Sequence, residues 1–213
     1  MRAYIFDLDG TLIDSMPYFA KTMLGILDEH GISYGEDMVK TVTPLGYLGT
    51  AEYFISLGVR MTADELVRRM LERITVEYER NIPLKHGVAK ELAYLKDKGL
   101  SLNILTASPH ALLDPCIKRL GVYGLFDNVW SSDDFGKKKS EPEIYELAAK
   151  RLGIEVGDVC MVDDNLTALR AARSAGLHTL GVYDESSEDL VLKMRSSADG
   201  YLIDFSEIVD FEQ

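Results

Sequence analysis

Ala3-Tyr4-Ile5-Phe6-Asp7-Leu8-Asp9-Gly10-Thr11 opens the chain with four apolar residues that run straight into two aspartates and a glycine. A short apolar run bounded by turn residues reads as a buried strand, and the Asp-Gly step ends it in a tight turn. A helical pattern follows from about Asp14 to His30 and closes at Gly31. Residues from about Ser33 to Asn81 keep helical periodicity with few strand signals. Within them Thr62-Ala63-Asp64-Glu65 has capping-box spacing, with Thr62 as N-cap and Glu65 three residues on. The helix it opens runs to about Arg80 and stops before Pro83.

Beyond Leu84 the pattern alternates. Apolar runs at Leu102–Leu105, near Asn128–Trp130, at Val159–Val162 and at His178–Val182 are separated by helical stretches near 88–98, 111–120, 142–152 and 167–175. Tyr201-Leu202-Ile203 adds an edge strand. Such alternation implies βαβ units and a parallel sheet covered on both faces. The expected fold class is therefore α/β: a three-layer Rossmann-like parallel sheet formed by residues 1–14 and 85–213, with a helical domain inserted at 15–84.

The 213 residues are 46% hydrophobic and 27% charged, with a formal net charge of -12. That acidity argues against nucleic acid, whose phosphates must be met by Lys and Arg. Local cations and a bound metal still allow an anionic substrate. No apolar run approaches the ~20 residues that span a bilayer, and Asp7 and Asp9 interrupt the only early one. The expectation is a cytoplasmic protein, a monomer or weak dimer, with no membrane or nucleic-acid partner. Cys116 and Cys160 read as reduced packing thiols. His30, His86, His110 and His178 lack metal-ligand spacing.

In open parallel sheets, ligands bind beyond the carboxyl ends of the strands. Asp7, Thr106 and Asp164 each follow a strand in this reading; an acidic group there either caps the next helix or shares a divalent cation that neutralises several of them. The segment Asp7 to Ser15 resembles the leading motif of the haloacid dehalogenase-like hydrolases, an apolar strand followed by Asp-x-Asp-Gly-Thr. The other motifs of that superfamily follow in order: Thr106 in Leu105-Thr106-Ala107-Ser108, Lys139, and Val162-Asp163-Asp164. Two departures stand out. The usual Lys-Pro-x-Pro reads Lys139-Ser140-Glu141-Pro142, and Ala168 stands where many members carry a further Asp. Spacing to Pro142 and Tyr145 selects Lys139 over Lys137 and Lys138.

The resemblance implies Mg²⁺ held by the Asp7 carboxylate, the Asp9 backbone carbonyl and the Asp164 carboxylate, with Asp163 acting directly or through water. It implies Asp7 as nucleophile, forming an aspartyl-phosphate, and Asp9 as acid/base. Lys139, the Thr106 hydroxyl and backbone N–H groups near Leu8 and Ala107 would hold the phosphoryl oxygens. Asp9 points to phosphomonoesters rather than halides, because an alkoxide leaving group needs a proton and a halide does not.

The helical insert resembles the four-helix cap of the phosphoglycolate phosphatase and β-phosphoglucomutase subgroup, hinged near Asp14-Ser15 and near Leu84–Gly87. Its loop Thr41–Tyr47 is expected to face the substrate. Tyr47 stands about where the mutase carries an arginine for its second phosphate, which favours a phosphatase of a small phosphorylated metabolite over a sugar phosphomutase. A non-catalytic binding module is the reading from another class, disfavoured by intact Asp7, Asp9, Lys139 and Asp164. Tyr53, Phe54 and Tyr78 read as the insert's core, and Arg68, Arg69 and Arg73 as an exposed helix face.

Overall fold

The computed structural model describes residues 1–212, the side chains of Pro44 and Glu212 excepted. Gln213 of the expected core segment and the Pro44 side chain of the Thr41–Tyr47 loop thus lie outside the described set. The chain divides into two compact units, Met1–Asp14 with Pro83–Gln213, and Ser15–Ile82. The partition falls two residues before the expected break at Leu84. Asp14 N donates to the Pro83 carbonyl (3.0 Å), and Ile13 forms an antiparallel bridge with Leu84. These backbone pairings draw Pro83 and Leu84 into the α/β unit.

That unit opens with β1 (Ala3–Phe6). The helical unit follows, with α1 (Met16–Glu29), α2 (Met38–Val42), α3 (Gly46–Ser56) and α4 (Ala63–Arg80). α4 begins in a complete capping box: Thr62 Oγ1 accepts from Glu65 N (3.3 Å), and Glu65 Oε2 accepts from Thr62 N (2.9 Å). Its apolar stripe Leu66, Met70, Ile74 and Tyr78 repeats every four residues, so all four face one side, and all are fully buried. The Phe19 ring of α1 meets Tyr78 edge-on at 6.1 Å. Phe54 is fully buried and Tyr53 half-buried against the same core. Arg68 is exposed, whereas Arg69 and Arg73 both pair with Glu29 of α1, a pairing between helices that a single helical wheel does not show.

The α/β unit continues with α5 (Val88–Asp97), β2 (Ser101–Thr106), α6 (His110–Arg119), β3 (Asn128–Ser131), α7 (Pro142–Leu152), β4 (Val159–Asp163), α8 (Leu166–Ser174), β5 (His178–Val182), α9 (Val191–Ser197) and β6 (Gly200–Leu202). The six strands form one parallel sheet in the order β3-β2-β1-β4-β5-β6. β1 is central, with Phe6 beside Ile104 of β2 and Val162 of β4. Side chains alternate across it. Ala3 and Ile5 pack with Ile144, Tyr145 and Ala148 of α7 and with Ala171 and Ala172 of α8. Tyr4 and Phe6 point the other way, stacked at 5.5 Å, and Phe6 meets Phe126 and Phe205. A fully buried aromatic or aliphatic side chain of this kind contributes roughly 1.5–3 kcal/mol, so β1 is fixed from both faces. Asn103, buried in β2, is satisfied by the Tyr4 carbonyl, Ser101 and Asn128.

The architecture is a three-layer, Rossmann-like α/β fold with a helical insert. Among the described residues no helix is long and apolar enough to cross a membrane.

Candidate active site

The sheet order reverses direction between β1 and β4, the position at which doubly wound folds bind their ligands. Asp7 leaves the end of β1, where its N–H continues the ladder by donating to the Val162 carbonyl (2.9 Å). Asp163 ends β4 and Asp164 follows it. One oxygen from each of Asp7, Asp163 and Asp164 lies within 4.8 Å of the others, and all three residues are buried. Lys139 bridges two of them, with Nζ 2.5 Å from Asp7 Oδ1 and 2.7 Å from Asp163 Oδ2. The second contact is a charge contact rather than a well-directed hydrogen bond. Lys137 instead pairs with Glu141, whose other oxygen accepts from Lys138 N. The loop bearing Lys139 is anchored by Tyr145, whose buried hydroxyl donates to the Lys139 carbonyl (2.8 Å).

Three buried carboxylates against one ammonium leave an excess of negative charge. Burial pushes the Asp163 carboxyl up to about 6, against the pull of Lys139 and with the push of Asp7. Burial, and then the charges of Asp163, Asp7 and Asp184, hold Asp164 well above the usual carboxylate range. Burial acts to lower the Lys139 pKa, but the Asp163 and Asp7 charges outweigh it and raise it, so the ammonium stays protonated.

These residues fit a hard divalent cation. Carboxylate oxygens are its preferred donors, and a cation would neutralise charge that the single lysine does not. Gly10 adds a steric observation, since a Cβ there would lie 2.5 Å from Asp164 Oδ2. With φ at +78° the position also favours glycine on conformational grounds. Thr11 completes the arrangement: its hydroxyl donates to Asp164 Oδ1 (3.0 Å) and accepts from Asp164 N (3.1 Å).

Thr106 ends β2 beside Ser131 of β3 and is buried. Its Oγ1 accepts from Ser108 N (3.1 Å), which directs the Thr106 hydroxyl proton elsewhere. Ser108 Oγ donates to Asp9 Oδ2 at 2.6 Å, tying the β2 loop to the first motif. The Leu8 side chain is fully buried, and its carbonyl accepts from Leu12 N (2.9 Å) and Ile13 N (3.0 Å) to close the turn; Ala107 is exposed. Tyr47 belongs to the helical unit, where it packs half-buried against that unit's core. Asn165 caps α8 by accepting from Thr167 N and Ala168 N, and its own N–H donates to Asp163 Oδ1 (2.9 Å).

The histidines and cysteines stand apart from this cluster. His110 lies between Asp114 and Asp134, and His86 on Asp204. Cys116 and Cys160 are free and buried, and burial pushes the Cys116 thiol up to about 11. Thr11, Ser108 and Tyr145 gain roles that the sequence did not assign them. Each lies inside a quoted motif; the partners of Thr11 and Ser108 are distant in the chain, whereas Tyr145 bonds back to Lys139 within its own motif.

Residues 1–176 match the haloacid dehalogenase-like hydrolase family. Pyrophosphatase PpaX of Bacillus velezensis is 30% identical over 183 residues, covering 85% of this chain and 83% of PpaX. Phosphoglycolate phosphatase of Yersinia pseudotuberculosis is 28% identical over 187 residues, covering 85% of this chain and 81% of that protein. The structure of CbbY from Rhodobacter sphaeroides in complex with phosphate shares the fold, with a TM-score of 0.79 at 22% identity over 98% of this chain and 96% of CbbY. The chain belongs to the haloacid dehalogenase-like hydrolase family and is an enzyme of its phosphatase kind.

Proposed function

We propose that this enzyme hydrolyses the phosphomonoester of a small metabolite through an aspartyl-phosphate on Asp7. Mg²⁺ would be held by the carboxylates of Asp7, Asp163 and Asp164 and the backbone carbonyl of Asp9. When bound it would supply neutralising charge to the phosphoryl oxygens. The observation that carries the reading is the cluster itself: the carboxylate after β1 shares Lys139 with Asp163, beside Asp164.

In this mechanism an Asp7 oxygen attacks phosphorus as the bond to the leaving oxygen breaks, and Asp9 gives that oxygen its proton. Asp9 then takes a proton from the water that attacks the phospho-enzyme, releasing phosphate and restoring Asp7. Lys139 and the Thr106 hydroxyl, with N–H groups of Leu8 and Ala107, hold the transferring oxygens as charge shifts among them. Ser108 orients the Asp9 carboxylate through its hydrogen bond. We assign the Ser15–Ile82 unit the part of a cap that selects the leaving group, with Tyr47, in the first turn of α3 rather than on a loop, as its substrate-binding residue. Tyr47 in place of a cationic side chain supports a phosphatase over a mutase. The same reading takes a cytoplasmic enzyme, a monomer or weak dimer.

A phosphate-release screen over metabolite phosphates, with Mg²⁺ and with a chelator, tests the proposal. Release with Mg²⁺ and its loss on chelation are expected. Isomerisation of a hexose 1-phosphate without net release would replace the reading with the mutase, and inertness toward every phosphomonoester would favour a binding module.

A further inference from the structure

Lys85 has no part in that chemistry, yet its side chain is mostly buried and its ammonium fully used. Its three protons face three acceptors: the Gly10 carbonyl at 2.6 Å, the Tyr183 carbonyl at 2.7 Å and Asp184 Oδ2 at 2.9 Å. Asp184 is itself buried, and its other oxygen accepts from Ser186 N and Oγ. An ion pair of this kind is costly to assemble, and it is not needed to join the segments. Lys85 N already donates to the Leu12 carbonyl (2.9 Å), beside the Ile13–Leu84 bridge. What the ammonium adds is a tie from the Gly10–Thr11 peptide plane to Tyr183 and Asp184 beyond β5.

That plane abuts Asp164 on both sides. Gly10 presses on the carboxylate so closely that no Cβ fits, and the Thr11 hydroxyl makes two hydrogen bonds to Asp164. Turning the Gly10–Thr11 peptide displaces both contacts together. We propose that Lys85, held by Asp184, is a positioning residue that fixes Asp164 through the Gly10–Thr11 peptide and thereby sets the site's affinity for a divalent cation. The inference rests on the reading of Asp7, Asp163 and Asp164 as the cation site.

Positioning and plain electrostatics predict opposite signs. Deleting a nearby positive charge strengthens cation binding through space, whereas loosening a ligand weakens it, typically by about 10- to 100-fold when an outer hydrogen-bond partner is lost. Mn²⁺ binding followed by the EPR signal of the free ion, with thermal unfolding alongside, separates the two without reading turnover. Lys85→Met is expected to weaken Mn²⁺ binding about tenfold or more. Because that variant leaves Asp184 buried and unpaired, Lys85→Met combined with Asp184→Asn removes both charges and keeps the test available if the single variant does not fold. The double variant, which leaves the net charge unchanged, is also expected to bind weakly. Mn²⁺ affinity equal to or tighter than wild type in a folded variant overturns the inference, whatever happens to its melting temperature. Wild-type protein that binds no Mn²⁺, or an Asp164→Asn variant that binds it undiminished, instead overturns the reading of the site.

Discussion

Changing Asp7 to asparagine keeps its shape and removes the charge that attacks phosphorus, so it separates chemistry from fold. Asp7→Asn is expected to lower phosphate release by about 10³-fold or more, as loss of a nucleophile does, with an unchanged circular dichroism spectrum. Full activity in that variant would end the proposed mechanism. Asp9→Asn is expected to cost roughly 10²- to 10⁴-fold, the usual yield of a positioned proton carrier, and rapid-quench kinetics should show both formation and breakdown of the phospho-enzyme slowed. Ser108→Ala removes one hydrogen bond to that carboxylate, so kcat should fall about tenfold while KM holds. A change confined to KM would place Ser108 on the substrate instead. Asp7, Thr106 and the Asp163-Asp164 pair were legible because apolar runs mark strand ends, and parallel strands bring those ends together. The bonds Ser108–Asp9 and Thr11–Asp164 span 99 and 153 positions, and no local pattern encodes them.

Among the elements, α4 shows how much a short stretch of sequence specifies. Thr62 and Glu65 satisfy each other's backbone N–H, and the four-residue apolar stripe then buries one face. Thr62→Ala deletes the cap with nothing buried to replace, and should destabilise the helical unit by about 1 kcal/mol, read as a lower denaturation midpoint. An unchanged midpoint would show that tertiary packing alone holds the end of α4. Strand cores and long helices were readable for the same reason, since period and punctuation are local. α2, five residues long, and α9, seven residues long, carry too few turns for periodicity to show. The partition after Ile82 is not visible in the sequence, because Pro83 and Leu84 follow a helix but pair with Asp14 and Ile13 across the chain.

For the molecule as a whole, the buried acids make stability depend jointly on pH and on divalent cation. Burial raises the folded Asp163 carboxyl to about 6 and holds Asp164 well above its ordinary range, against about 3.9 for an aspartate in an unfolded chain. Between those values the folded state holds protons that the unfolded chain has released, so this contribution is full below about pH 4 and is lost as pH rises through 6 and beyond. In chelator the cluster therefore makes the protein less stable toward neutrality. Mg²⁺ binds only the ionised carboxylates and competes with their protons, so its stabilisation should run the other way and grow with pH. At a concentration about 100 times its Kd, a ligand of the native state adds about 2.7 kcal/mol, roughly 5–10 °C in Tm for a chain of this length. Repulsion from the net charge of -12 acts in both buffers, and taking the difference in Tm between Mg²⁺ and chelator reduces its weight. That difference should be small at pH 5, several degrees at pH 7.5, and largely abolished in Asp164→Asn. An equal shift at both pH values, or one that survives Asp164→Asn, would place the cation somewhere other than these three carboxylates.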